Sequence, residues 1–324
     1  MENVVESSKL SKFQIGGWVL FFFFFLFVFT LFRFPMGKVE GYVEAEIIKN
    51  LNRQGIQLST RQSHISLFPR LTLHFEKIRV EIPDFPNPIE LDDLKVTASY
   101  WSLALSRLSG DVIAKVGTSQ IEIQNYSVPT QGLLNFAPGP GPIEITADLK
   151  NVSLSGIHLF ETVGLKGSGQ LTGKVDLSID PSDFSKMTLD FKVNAKNVQI
   201  PKQPLSDFPN PFVRAFTLPA INLSELNTEI RARQGKMHFV TFQVGKDNQL
   251  EDDIHADVKG SITLQKVFHS STADLNITFK FSDAINREFP FIKAILTPAR
   301  QKNGSYKYSL TGPLNDMVPQ PVAP

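Results

Sequence analysis

The stretch Thr272–Phe281, with the sequence TADLNITFKF, alternates apolar and polar residues without a break. Every second residue from Ala273 to Phe281 is apolar. In an extended chain, successive side chains point to opposite sides, so these apolar residues share one face of a strand. The stretch therefore predicts a half-buried β-strand with one face on apolar material and the other toward water.

The same period of two recurs along the chain from residue 57 onward. Gly, Pro and Asn separate the alternating segments, as turns do. Such a series predicts a mainly β fold, antiparallel, with curved or groove-like sheets. The segments are Leu71–Phe75, Ile121–Ile123, Ile143–Leu149, Val175–Ile179, Met187–Val193, Ile254–Val258 and Tyr306–Leu310.

Breakers and a weak repeat suggest how this β region is divided. The run Ala137–Pro142 (APGPGP) predicts a boundary between a first β module, 57–137, and a second, 143–315. The Pro-rich tail, 316–324, is expected to be extended and poorly ordered. Asp84–Pro88 and Asp207–Pro211 repeat the sequence DFPNP, which fits either duplicated modules or coincidence among turn residues.

Residues 13–34 predict a transmembrane anchor ahead of the β region. Phe13–Phe32 is a run of twenty residues without a charge, and about 20 helical residues span the roughly 30 Å hydrocarbon core of a bilayer. A buried core helix is disfavoured at the extreme N-terminus, and a cleaved signal peptide lacks a small-residue exit before Pro35. The predicted membrane residues are Trp18, Phe21, Phe22, Phe23, Phe24, Phe25, Leu26, Phe27, Val28 and Phe29.

The flanks of this segment bear on its orientation. Two Lys or Arg residues lie within a few residues of each side, so the positive-inside rule does not decide. The segment before the anchor, residues 1–12, is short, and the rest of the protein follows the anchor. We therefore expect a cytoplasmic N-terminus and an exported C-terminal domain. Residues 35–56 predict a juxtamembrane amphipathic helix that lies on the bilayer or caps the sheet; its acidic polar face favours the cap.

Chemistry-bearing patterns are sparse. The chain has no cysteine, which excludes disulfides, thiolate catalysis and Cys-ligated metals. A net charge of +1 with scattered basic residues predicts no nucleic-acid partner. No nucleotide, hydrolase or calcium motif occurs, so we expect no enzyme, catalytic residue, cofactor or metal site. Glu251–Asp253 is interpreted as a solvated turn, and the six scattered histidines as structural or solvated.

The order of these parts resembles the long, delta-proteobacterial form of general secretion pathway protein N, a type II secretion system family. The resemblance rests on the anchor ending Arg33-Phe-Pro35, the short helix after it, Leu218–Leu226 leading to Gly235, and Asn303–Leu314 before a Pro-rich terminus. It implies a non-enzymatic, single-pass inner-membrane protein with a periplasmic β domain. Its partners would be the bilayer and other secretion-system proteins, met by strand edges or the apolar face.

The same region is also similar to AsmA-like proteins, in which an inner-membrane anchor precedes a β-sheet curled into an apolar groove. That resemblance implies binding or transfer of phospholipid or other acyl chains. The alternative has a plain physical basis, since a sheet with a continuous apolar face must cover it or leave it as a groove. Both hypotheses remain open from the sequence.

Overall fold

The computed structural model describes the β region and little of what precedes it. The chain divides into two units, Met1–Ile47 and Ile48–Pro324. The described residues are 41, 45, 49, 57–66, 70–81, 88–132, 135–157, 160, 164–205, 217–246, 252–288 and 296–323. The predicted anchor, with Trp18 and Phe21–Phe29, lies outside them. Among the described residues, no helix is both long enough and apolar enough to cross a membrane.

A single antiparallel sheet organises the unit Ile48–Pro324. Fourteen strands follow one another in the order β1-β2-β3-β4-β5-β7-β8-β9-β12-β13-β14-β15-β16-β17, and β6 pairs with β5. β10 and β11 form a separate two-stranded pair. Every strand in the path is hydrogen-bonded to the next one along it, so the topology is a meander. Such connections need only short turns.

The strands are β1 Gln57–Ser66, β2 Leu71–Glu81, β3 Ile89–Ala98, β4 Arg107–Val116, β5 Ser119–Gly132, β6 Asn135–Pro138, β7 Ile143–Ser153, β8 Ser168–Asp180, β9 Asp183–Ile200, β10 Gln203–Pro204, β11 Thr217–Leu218, β12 Ile221–Arg233, β13 Lys236–Val244, β14 Ile254–Thr263, β15 Thr272–Phe281, β16 Tyr306–Pro313 and β17 Pro319–Pro321. Two short α-helices, α1 Tyr100–Ala104 and α2 Asp283–Glu288, and the 3-10 turns Phe268–Ser270, Thr297–Ala299 and Leu314–Asp316 lie in connections.

The prediction of a mainly β, antiparallel fold is confirmed. Each segment chosen for its alternation lies in a strand. Part of the tail that was predicted to be extended and poorly ordered, Pro319–Pro321, is extended and pairs with β16. β5 also pairs with β7 from Gln120↔Lys150 to Ser127↔Glu144, so one sheet continues across the predicted module boundary. The assignment of two modules stays a prediction, as does the juxtamembrane helix, of which Gly41, Ala45 and Lys49 are described and helical.

The meander gives the sheet two rims, each made of alternate connections. We call the one where β1 begins the Gln57 rim, and the one that carries α1 between β3 and β4 the Trp101 rim. A hydrophobic cluster near the Gln57 rim contains Ala195, Val198 and Leu223, and Ile285 of α2 packs into it. A second cluster, which includes Met187, Ala232 and Ile262, extends toward the Trp101 rim.

The backbones of β14 and β15 approach each other so closely at Gly260 that the position requires glycine. A Cβ added at Gly260, whose φ is +133°, would lie 2.1 Å from the Asp274 carbonyl oxygen of β15. Gly312 has a similar φ of +116°, yet a Cβ there would meet nothing within 4 Å. Both positions disfavour a side chain through backbone conformation, but only Gly260 adds a steric clash.

We therefore expect Gly260→Ala to lower the free energy of unfolding by about 1–3 kcal/mol more than Gly312→Ala does. Urea unfolding of the two variants, followed by far-UV circular dichroism, measures this difference. Equal losses in the two variants would show that the β14–β15 backbone approach is looser than the structure has it.

Candidate functional site

An apolar row crosses the sheet from its first strand to its last. Each member is the register partner of the next, so all of them lie on one face of the sheet. The row contains no polar or charged side chain. Its members, in order, are Ile65, Leu73, Val96, Val112, Ile123, Ala147, Val175, Phe191, Ile230, Phe239, Gly260, Leu275, Leu310 and Pro319.

A parallel row on the same face lies two residues closer to the Trp101 rim, or three in β5, where the register shifts between Ile123 and Asn125. It runs through Leu71, Ala98, Gly110, Tyr126, Ile145, Leu177, Leu189, Ala232, Met237, Ile262, Ala273 and Gly312. With adjacent strands about 4.8 Å apart, the thirteen steps of the first row extend about 62 Å along the sheet. The two rows make a strip whose length far exceeds its width.

Most of the first row is only half-buried. Ile65, Ala147 and Leu275 are buried at 5%, 8% and 7% exposure, nine other members are intermediate, and Gly260 and Pro319 are exposed. Side chains in a sheet covered by a second layer are mostly buried. The row thus combines an apolar surface with partial access, which is the condition for receiving an apolar ligand.

The opposite face of the sheet is charged and paired. Cross-strand ion pairs join Lys115 to Asp93 at 3.7 Å and Lys174 to Asp148 at 3.7 Å, and Lys150 pairs with Glu122. These side chains are partly exposed, so each pair contributes little stability. They do identify the solvated face, and they confine apolar binding to the other one.

The one polar side chain of the second row has its hydroxyl bonded to the backbone. The Tyr126 hydroxyl donates to the Thr97 carbonyl at 3.1 Å, although β4 lies between their strands. Gly110 is the β4 partner of Tyr126, and its missing side chain leaves room for this reach. Burial first, and then the Asp111 carboxylate, raise the pKa of Tyr126 to about 12. The Tyr126 hydroxyl is therefore neutral, and its proton is used in the hydrogen bond to the Thr97 carbonyl.

The strip ends in a shallow cavity, open to solvent, at the C-terminal strands. Its volume is about 360 Å³, within the range of small-ligand pockets. Phe279 stacks on Tyr308, with ring centroids 6.0 Å apart and planes at 5°, and Tyr306 packs on Phe279 with centroids 5.6 Å apart. The cavity is lined by Ile277, Phe279, Leu296, Tyr308, Leu310 and Pro319. Its lining is thus apolar and aromatic, and it includes the last two members of the first row.

The acidic cluster departs from its prediction as a solvated turn. Asp252 is 2% exposed and accepts hydrogen bonds from the Ser224 backbone N–H, the Ser224 hydroxyl at 2.7 Å and the Lys246 backbone N–H at 2.7 Å. Asp253 accepts from the Asn222 backbone N–H at 2.8 Å and the Ser282 hydroxyl at 3.0 Å. The two carboxylates lie in the β13–β14 connection and join it to β12 and to the segment that follows β15. Sequence reasoning missed this because the donors on Ser224, Asn222 and Ser282 are distant along the chain.

The remaining residues considered from the sequence do not assemble into a centre in the described part of the chain. His74 bonds Asp93 at 2.6 Å, and Asp93 also pairs with Lys115 on the charged face. Within the described ranges, no three His, Asp or Glu side chains are grouped as a metal site would require. His158 and the predicted membrane residues lie outside those ranges. The apolar strip is thus the feature that most resembles a binding site.

Comparisons with known proteins add no family to this geometry. No protein-family model, no curated protein and no solved structure matches the chain.

Asp252 gives a testable pH dependence. Burial raises the pKa of its carboxyl, but the hydrogen bonds from Ser224 and Lys246 outweigh burial and hold that pKa below its ordinary value. A lowered folded-state pKa stabilises the fold above the unfolded pKa of about 3.9, and this contribution is lost as pH falls through the folded-state pKa. We expect Asp252→Asn to cost about 1–3 kcal/mol of unfolding free energy at neutral pH, because an amide N–H₂ then faces donors.

Urea unfolding at pH 7 and at stepwise lower pH measures that cost, and the difference from the unmodified chain should shrink in acid. Asp257→Asn is the control, since Asp257 is 42% exposed and has Lys259 Nζ 2.9 Å away. That variant should lose no more than about 1 kcal/mol. If Asp252→Asn lowers the free energy of unfolding no more than Asp257→Asn does, Asp252 does not act as a clamp, that is, its hydrogen bonds to Ser224 and Lys246 do not hold β12 to the β13–β14 connection.

Proposed function

We propose that this protein is a membrane-anchored, non-enzymatic lipid-binding protein whose sheet holds acyl chains along its apolar strip. The observation that carries the proposal is the unbroken apolar row from Ile65 to Pro319, with most of its members half-buried. The predicted anchor at residues 13–34 supports it, because a bilayer would then supply the ligand.

The chemistry of the strip favours acyl chains over a polar ligand. A row without polar side chains offers no hydrogen bond to a sugar, nucleotide or peptide group, and such a group would lose its bonds to water there. Methylene groups gain about 0.8 kcal/mol each on burial and need no partner.

The length of the strip favours movement of lipid over storage of one molecule. Its extent of about 62 Å is some four times the roughly 15 Å of hydrocarbon in one bilayer leaflet. Successive lipids could occupy it, or one lipid could move along it without leaving an apolar surface. We accordingly extend the proposal to transfer of phospholipid within a cell envelope, with the β domain on the exported side of the inner membrane.

The role in a type II secretion apparatus stays a prediction from the resemblance to general secretion pathway protein N. It does not conflict with lipid binding, since a secretion platform is itself embedded in lipid. Crosslinking of the full chain to other secretion-system proteins would test that role separately from acyl binding.

Two adjacent residues of β4 provide a matched test of the strip. Val112 lies in the apolar row, whereas Ile113 lies on the opposite face between its partners Lys95 and Glu122. Both side chains are half-buried. We expect Val112→Asp to reduce the phospholipid that co-purifies with the full chain to roughly half or less, because a carboxylate in the strip opposes acyl contact.

Native extraction followed by lipid mass spectrometry, expressed per mole of protein, measures the effect. Ile113→Asp should retain the amount bound by the unmodified chain, and far-UV circular dichroism should show the same β-sheet signal for all three proteins. A chain that co-purifies with no lipid, or equal lipid in the two variants, would refute the proposal.

A further inference from the structure

The exposed large hydrophobic side chains of the described residues collect at one end of the strands. Trp101 is 83% exposed and Leu105 is 76% exposed, both in or next to α1. Phe268 and Val267 are 38% and 47% exposed in the β14–β15 connection, and Val318 is 65% exposed between β16 and β17. All these connections belong to the Trp101 rim. In the described part of the chain, only Val240, in mid-strand of β13, is comparably exposed away from it.

Several of the charges beside these side chains are paired within the protein. Near α1, Arg70 lies 3.5 Å from Asp111 and Arg107 lies 3.7 Å from Glu144. Phe268 packs on Phe184 with centroids 5.6 Å apart, and the nearby Lys186 Nζ lies 3.1 Å from Asp183. The rim therefore combines protruding apolar groups with exposed charges, Lys266 beside Val267 among them, and this mixture suits the interface of a bilayer, where apolar side chains insert and charged ones stay among the headgroups.

The spacing of the protrusions argues against one compact protein partner. α1 and the 3-10 turn at Phe268–Ser270 are separated by eight strand positions, about 38 Å along the sheet. A stable protein interface needs a contiguous patch of roughly 800 Å² on each partner. A bilayer accepts separate insertions, and Trp is one of the two side chains enriched at its interface.

We propose that the Trp101 rim inserts its exposed side chains into the surface of a lipid bilayer. The second apolar row passes through Ala98 and Gly110, close to α1 along the chain, so inserted residues would adjoin the apolar strip. This contact does not depend on acyl binding by the strip. The two proposals can fail separately. The rim could insert into a bilayer while the strip binds no lipid, or the strip could bind lipid while the rim does not insert, and the two experiments tell these cases apart.

The chain carries a built-in reporter, since Trp18 and Trp101 are its only tryptophans. In full-length Trp18→Phe protein, all tryptophan emission comes from Trp101. We expect this emission to shift to shorter wavelength and to fall by about half or more with vesicles of phosphatidylglycerol and phosphatidylethanolamine brominated on their acyl chains. Unbrominated vesicles should give the shift without the quenching.

Two further single-tryptophan proteins, built on Trp18→Phe with Trp101→Phe, complete the experiment. Phe268→Trp should be quenched in the same way, and it keeps the test decisive if changes at α1 disturb folding. Val240→Trp should remain unquenched, because Val240 is 51% exposed but lies away from the rim. Membrane insertion would be overturned by an absence of quenching in both rim reporters, by equal quenching in the Val240→Trp protein, or by a blue shift that needs protein concentration rather than lipid.

Discussion

The structure depends on keeping apolar residues on the same face of every strand through a long meander. A shift of one residue would turn a strand's whole apolar set to the charged side. The risk is visible in β9, where the apolar positions Ala195 and Val198 are three residues apart rather than two. Asn197 lies between them with a φ of +52°. Asn tolerates this left-handed conformation better than most residues, and it re-aims the chain so that both side chains join one cluster.

The same device recurs where apolar spacing changes elsewhere in the sheet. Asn151, with a φ of +50°, stands between Leu149 and Val152, where the pairing of β7 with β8 also shifts. Val152 is only 1% exposed, so the irregularity buries it rather than turning it to water. Irregular positions thus preserve the apolar face where strict alternation would lose it.

Sequence periodicity predicted the antiparallel β architecture because alternation is a local property of each strand. It predicted less in β3, β4 and β13, where Asp93, Gly110 and the register shift after Phe239 interrupt the pattern. The cross-strand row could not be predicted, since it depends on which residue of one strand faces which residue of the next. The burial of Asp252 was missed for a similar reason: its donor Ser224 comes from β12, and its donor Lys246 reaches it only through the fold of their shared connection.

Different interactions dominate on the two faces and at the two rims of the sheet. On the charged face, ion pairs such as Lys115–Asp93 keep the sheet solvated without adding much stability. Near the Gln57 rim, the packed cluster around Val198 and Ile285 and the Asp252 clamp tie the strand ends together. These fixed parts leave the strip and the Trp101 rim as the described surfaces where apolar groups remain accessible. Their exposure lowers stability relative to burial, and contact with lipid at either surface would recover part of that loss.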